Sequence, residues 1–128
     1  MLNSNIEYDM NMIVIKIHKK KDEIKWLKLI EYKEDYISIG SILEIPNLYD
    51  FENRTQVIVF DSLRDNCGLA LLVVSGIKAG SIYVIFPEES KYKNTRMMSK
   101  KWLLDNFYKW ISPNSNIKET LFLFNLYL

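Results

Sequence analysis

Leu69-Ala70-Leu71-Leu72-Val73-Val74-Ser75-Gly76-Ile77-Lys78-Ala79-Gly80-Ser81-Ile82-Tyr83-Val84-Ile85-Phe86-Pro87-Glu88-Glu89-Ser90 is the stretch that decides the fold. Two apolar, β-prone runs flank a short connection carrying Gly76 and Gly80, and Pro87 closes the second run. The pattern predicts an antiparallel hairpin with strands near 69–74 and 81–86. The glycines supply the positive φ that such a connection needs. Nothing in the hairpin carries chemistry, so it reads as buried framework.

Upstream of the hairpin, residues 64–68 have turn composition and residues 56–62 form a short, mostly apolar strand. Residues 37–45 alternate, with Ile37, Ile39, Ser41, Leu43 and Ile45 on one side; Gly40 marks a bulge or bend, and Pro46 ends the run. Residues 47–54 read as a loop. Residues 24–36 split better as a strand than as a helix, which predicts extended structure over about 26–32; a short helix starting near Asp22 is the alternative. Residues 12–18 place Ile13, Ile15 and Ile17 on one face of a half-buried strand. Residues 19–23 are a charged turn, and residues 1–11 are a loose end.

Downstream, residues 87–95 are a polar loop. Ser99 is an N-cap for a helix over about 100–111, whose Leu103, Leu104, Phe107, Trp110 and Ile111 make one apolar stripe. Pro113 and Asn114 close the helix, and residues 120–128 form a last strand. Several strands, one helix and one strand do not alternate as a parallel α/β sheet would. The expected fold is α+β, a strongly bent, mostly antiparallel sheet with one main helix packed across it. At 128 residues the whole chain, 1–128, fits one domain.

Composition narrows function mainly by exclusion. A formal net charge of +1 supplies no strong field toward nucleic acid or anionic lipid. No apolar run is long enough to span a membrane, and the N-terminus lacks an export signal, so a cytoplasmic protein is expected. One histidine, His18, and one cysteine, Cys67, make neither a disulfide nor a zinc site, and no cofactor motif is present. Nucleophilic catalysis requires a nucleophile beside a base. A small enzyme would therefore need Cys67 or Asp61 in a cleft beside His18. Nucleic-acid binding would use the clusters Lys16, Lys19, Lys20, Lys21, Lys25 and Lys28, and Lys91, Lys93, Arg96, Lys100 and Lys101. Acidic residues interrupt both clusters. Trp102 projects away from the helix stripe, which reads either as packing on the preceding loop or the N-terminal segment, or as an anchor for a protein partner.

Taken together, five runs resemble a known pattern: Gly40-Ser41-Ile42-Leu43-Glu44-Ile45-Pro46, Gly68-Leu69-Ala70-Leu71, Ser75-Gly76-Ile77-Lys78-Ala79-Gly80, Phe86-Pro87-Glu88-Glu89-Ser90, and Ser99-Lys100-Lys101-Trp102-Leu103-Leu104-Asp105-Asn106-Phe107-Tyr108-Lys109-Trp110. The pattern is that of immunity protein family 45 of polymorphic-toxin and contact-dependent inhibition systems, and the resemblance covers roughly residues 27–128. Ile77 stands where the pattern has an aromatic, and Phe107 where it has Trp.

The resemblance implies a small non-enzymatic cytoplasmic protein. Such a protein neutralises, by stoichiometric binding, a toxin domain at the C-terminal end of a large secreted protein, a nuclease being one such toxin. Neither cofactor nor membrane is implied, and direct nucleic-acid binding is not expected. Exposure and turn placement, rather than the family pattern, single out Asp61, Arg64, Asp65, Glu88, Glu89, Tyr92 and Trp102 as toxin-facing candidates.

Overall fold

Six strands form one antiparallel sheet in the computed structural model, which describes residues 26–124. In chain order the strands are β1 (Leu27–Lys28), β2 (Tyr36–Ile37), β3 (Ile42–Pro46), β4 (Arg54–Phe60), β5 (Cys67–Val73), β6 (Ile82–Pro87), β7 (Met98–Ser99) and β8 (Leu121–Leu123). The helix α1 (Lys100–Trp110) lies between β7 and β8 in sequence. The main sheet runs β1-β8-β3-β4-β5-β6, while β2 and β7 form a separate antiparallel pair. The sheet does not close into a barrel, so the α+β architecture expected from the sequence is the one observed.

One face of the sheet makes the core. Leu43 and Ile45 of β3, Val57 and Val59 of β4, Leu69, Leu71 and Val73 of β5, Phe86 of β6 and Phe122 of β8 are all buried there. These positions alternate along each strand, as the period of two requires. The helix closes this face with Leu103, Phe107 and Ile111, while Leu104 and Trp110 pack on the core half-buried. Ser99 caps the helix by accepting from the Trp102 N–H at 3.2 Å.

Two sequence expectations change. Residues 26–32 are not one strand: only Leu27–Lys28 is extended, and a 3-10 turn follows at Leu29–Glu31. Leu29 and Tyr32 are both buried, and the tighter turn brings this i, i+3 pair to the same side. Residues 37–45 are not one strand either. Gly40 has φ 88°, its N–H bonds to the Val59 carbonyl at 2.7 Å, and Ser41 N–H turns back to Ser38 at 3.2 Å. The chain therefore leaves β2 and enters β3 through a bend. Within the polar loop expected over 87–95, Glu88 and Glu89 sit on a 3-10 turn, Glu88–Ser90.

The strand expected over 12–18, the turn over 19–23, the loose end and His18 lie outside the described residues. So do residues 125–128 of the final strand.

Candidate functional site

The charged candidates gather at the corner where β4 hands over to β5. The loop over 61–66 holds two non-glycine residues in the left-handed region, Leu63 at φ 61° and Asn66 at φ 62°. The side chain that follows Phe60 fixes this shape: Asp61 Oδ1 accepts from the Leu63 N–H at 2.8 Å, and Ser62 Oγ accepts from the Arg64 N–H at 3.4 Å. These local side-chain bonds offset the cost of the left-handed backbone. Asp61 Oδ2 pairs with the Arg96 guanidinium. The Leu63 N–H first, and then Arg96, hold the Asp61 carboxyl below its ordinary value against the opposing effect of partial burial; Lys91 adds to the lowering.

The second candidate segment reaches the same corner from the end of β6. Ser90 is fully buried, and its hydroxyl donates to the Pro87 carbonyl at 2.6 Å. That bond sets the 3-10 turn that carries Glu88 and Glu89 outward. Lys91 Nζ lies 3.5 Å from Glu88. Tyr92 N–H bonds to the Met97 carbonyl at 2.8 Å, closing a small loop in which Lys93 Nζ stands 5.2 Å over the Tyr92 ring. The Tyr92 ring packs 5.9 Å from Tyr36.

Asp61, Arg64, Asp65, Cys67, Lys91 and Arg96 line a cleft of about 120 Å³. Glu88, Lys91, Lys93, Thr95 and Arg96 line an adjoining one of about 360 Å³. Lys91 and Arg96 belong to both clefts and join the two predicted segments into one surface. Arg64, Asp65 and Glu89 are exposed and form no side-chain ion pair or hydrogen bond among the described residues.

Trp102 lines neither of these clefts. It is half-buried, 5.7 Å edge-on to Phe86 and 5.8 Å from Trp110. The covered arc of α1 is therefore wider than the predicted stripe, because Phe86 reaches around the helix on that side.

Sequence reasoning assigned Lys91 and Arg96 to a basic cluster and so missed their place beside Asp61. It also missed Leu63, which is 77% exposed at the tip of the loop. The Asp-x-Leu spacing was the available signal, since Asp favours bonding the backbone N–H two residues on.

The arrangement suits recognition by charge and shape. Of the second basic cluster, Lys91 pairs with Glu88, Arg96 with Asp61, and Lys101 with Asp105 at 2.6 Å, while Lys100 Nζ donates to the Tyr32 carbonyl. Carboxylates thus offset three of the five cations, while Lys93 and Lys100 keep their charge. Of the first cluster only Lys28 lies among the described residues, exposed on β1. Cys67 is half-buried in the smaller cleft, and no group of three or more His, Cys, Asp or Glu among the described residues is placed to hold a metal ion. No helix among the described residues is long and apolar enough to cross a membrane.

A six-stranded antiparallel sheet closed on one side by a helix, with a corner of mixed charge, defines a small α+β protein. The comparison with known families gives the class a narrower identity. Over residues 29–122 the chain matches immunity protein 45, and it belongs to that family. No curated protein and no solved structure matches it. Membership carries the general role of the family, neutralisation of a toxin.

Proposed function

We propose that this protein inactivates a cognate toxin domain by forming a stoichiometric complex with it in the cytoplasm, without catalysis and without a cofactor. The toxin is the C-terminal part of a larger secreted protein of a contact-dependent inhibition or related polymorphic-toxin system. Membership of the immunity protein 45 family is the observation that carries this reading. The corner formed by Asp61, Arg64, Asp65, Glu88, Glu89 and Tyr92 is its charged contact surface, and Trp102 stiffens the helix side behind it. Arg64 and Asp65 support this role: a rigid loop presents both charges to solvent, and charges of this kind set partner choice and association rate.

The test is co-expression with the toxin domain encoded next to this gene, read by growth rescue and by copurification as a complex of fixed ratio. Arg64→Glu combined with Asp65→Lys weakens that complex at least tenfold while leaving thermal stability unchanged. Absence of rescue and of complex, with this protein folded, refutes the reading. Assay of the purified toxin on nucleic acid, alone and in the complex, then identifies whether it is a nuclease.

A further inference from the structure

The face of the sheet turned away from α1 is apolar where an antiparallel sheet open to water alternates to polar residues. Cross-strand neighbours build one row across five strands. Leu123 of β8 stands opposite Ile42 of β3, Ile42 opposite Ile58 of β4, Ile58 opposite Leu72 of β5, and Leu72 opposite Ile82 of β6. Beside it runs a second row, half-buried Phe60 and Ile85 with fully buried Ala70 between them. None of these side chains belongs to the core on the helix side. Ile82 is 56% exposed, and Val74, which continues β5 on the same face, is exposed too. The near-continuous apolar sequences of β5 and β6 are those of strands covered on both faces.

We propose that this outer sheet face is the main docking surface for the toxin domain, with the charged corner as its rim. The inference rests on the immunity reading above and adds the surface that reading leaves open. At about 4.8 Å per strand and about 7 Å per residue row, the row of five, the row of three and Val74 give an apolar footprint of about 300 Å². That is in the range of the largest apolar patch on an ordinary monomer, which is often a functional one, and is somewhat over a third of what one partner contributes to a standard interface. The remainder fits the polar rim. Phe60 leads directly into Asp61 and the unpaired Arg64 and Asp65 on one border. On the other border Glu44, Arg54 and Gln56 satisfy one another, with Arg54 Nε 2.8 Å and Gln56 Nε2 3.2 Å from the Glu44 carboxylate. An apolar centre ringed by charge is the anatomy of a protein–protein contact. An apolar face that runs across five strands takes a folded domain rather than a small ligand, and its uncharged centre does not suit a phosphate backbone.

The experiment compares the full chain with Leu72→Lys and with Ile82→Lys, the latter at an exposed edge position that tolerates charge. Toxin affinity, oligomeric state, melting temperature and carbene labelling of the face, free and in complex, are read together. The expected result is affinity weakened about thirtyfold or more in Ile82→Lys with an unchanged melting temperature, and labelling lost only in the complex. Unchanged affinity in a folded variant overturns the proposal. A dimer of the unmodified protein that the variants dissolve without affecting toxin affinity assigns the face to a second copy and overturns it as well. Low labelling in the free monomer assigns it to the chain's own remaining residues, with the same consequence. If the unmodified protein does not bind the toxin at all, the immunity reading itself fails. Binding that persists in the variants removes only the assignment of the face.

Discussion

Replacing Gly68 by alanine forces a methyl group into a contact that the fold has already filled. Gly68 lies on β5 against the end of β6. A Cβ there meets the Ser90 hydroxyl and stands 2.8 Å from the Pro87 carbonyl, inside the limit for a carbon–oxygen contact. The Ser90 side chain has nowhere to retreat, because it is fully buried and bonded to the same Pro87 carbonyl. Overpacking of this kind costs about 1–3 kcal/mol, and disturbing the Ser90 bond adds about 1 kcal/mol. The reduced freedom of the unfolded chain returns about 0.4–1 kcal/mol. The net expectation is a loss of about 2 kcal/mol, a fall of roughly 10 °C in melting temperature for a domain of this size. Chemical denaturation of Gly68→Ala, Ser90→Ala and the double variant measures it. Ser90→Ala relieves only part of the cost, because the Pro87 carbonyl remains. Gly80→Ala provides the contrast: at φ 93° with no atom nearby, it carries backbone strain alone. A Gly68→Ala protein within about 0.5 kcal/mol of the original refutes the packing argument. Because Ser90 anchors the turn that holds Glu88, this variant should also loosen the charged corner.

Three further outcomes follow from single contacts. Ser99→Ala removes the cap on α1 and lowers stability by about 1 kcal/mol, read as a shifted urea midpoint with unchanged slope. Asp61 has a lowered folded-state pKa, so its contribution is present above the ordinary value of 3.8 and is lost as pH falls through the lower folded value. Asp61→Asn therefore flattens the acid limb of the stability profile, and an unchanged limb refutes this assignment. Tyr32 has its pKa pushed up to about 12, chiefly by burial, and its hydroxyl donates to the Tyr36 carbonyl at 2.7 Å. Its contribution is complete below pH 10 and is lost as pH rises through about 12; Tyr32→Phe removes that alkaline loss at a cost of about 1 kcal/mol near neutrality, measured by denaturation across pH.

The elements that could be read from the sequence are those fixed by neighbours in the chain. The β5–β6 hairpin has its period, its turn glycines and its stopping proline within one short stretch. The Ser99 cap and α1 are equally local. The break between β2 and β3 was legible only as a bend at Gly40 and not as a change of strand partner, because Ile37, Ile39, Ser41 and Leu43 keep their alternation straight through it. What redirects the chain is remote: Tyr36 pairs with Ser99, and the Lys100 N–H bonds to the Asp35 carbonyl at 3.0 Å. The corner divides in the same way. Its loop was visible as turn composition, whereas the pairing of Asp61 with Arg96 joins residues that no spacing rule connects. Trp102 was misplaced relative to the core because a helix wheel cannot know that Phe86 reaches around the stripe. The apolar outer face was present in the sequence as residues of both parities in β5 and β6, a signal that becomes specific only once the strand partners are known.

The position of β8 bears on how the protein is made. This last described strand lies between β1 and β3, bonded to both, so the first strand of the sheet reaches its place only through the last. Synthesis delivers β3 to β6 early as a meander of successive hairpins, able to collapse while the rest of the chain is still on the ribosome. Until Leu121–Leu123 emerges, the β3 edge stands open and β1 has no seat. A chain cut short before that strand exposes an unpaired apolar edge, the condition that favours aggregation over folding. Loss of Leu121–Leu123 therefore costs the folding of the sheet as a whole rather than trimming one strand from it.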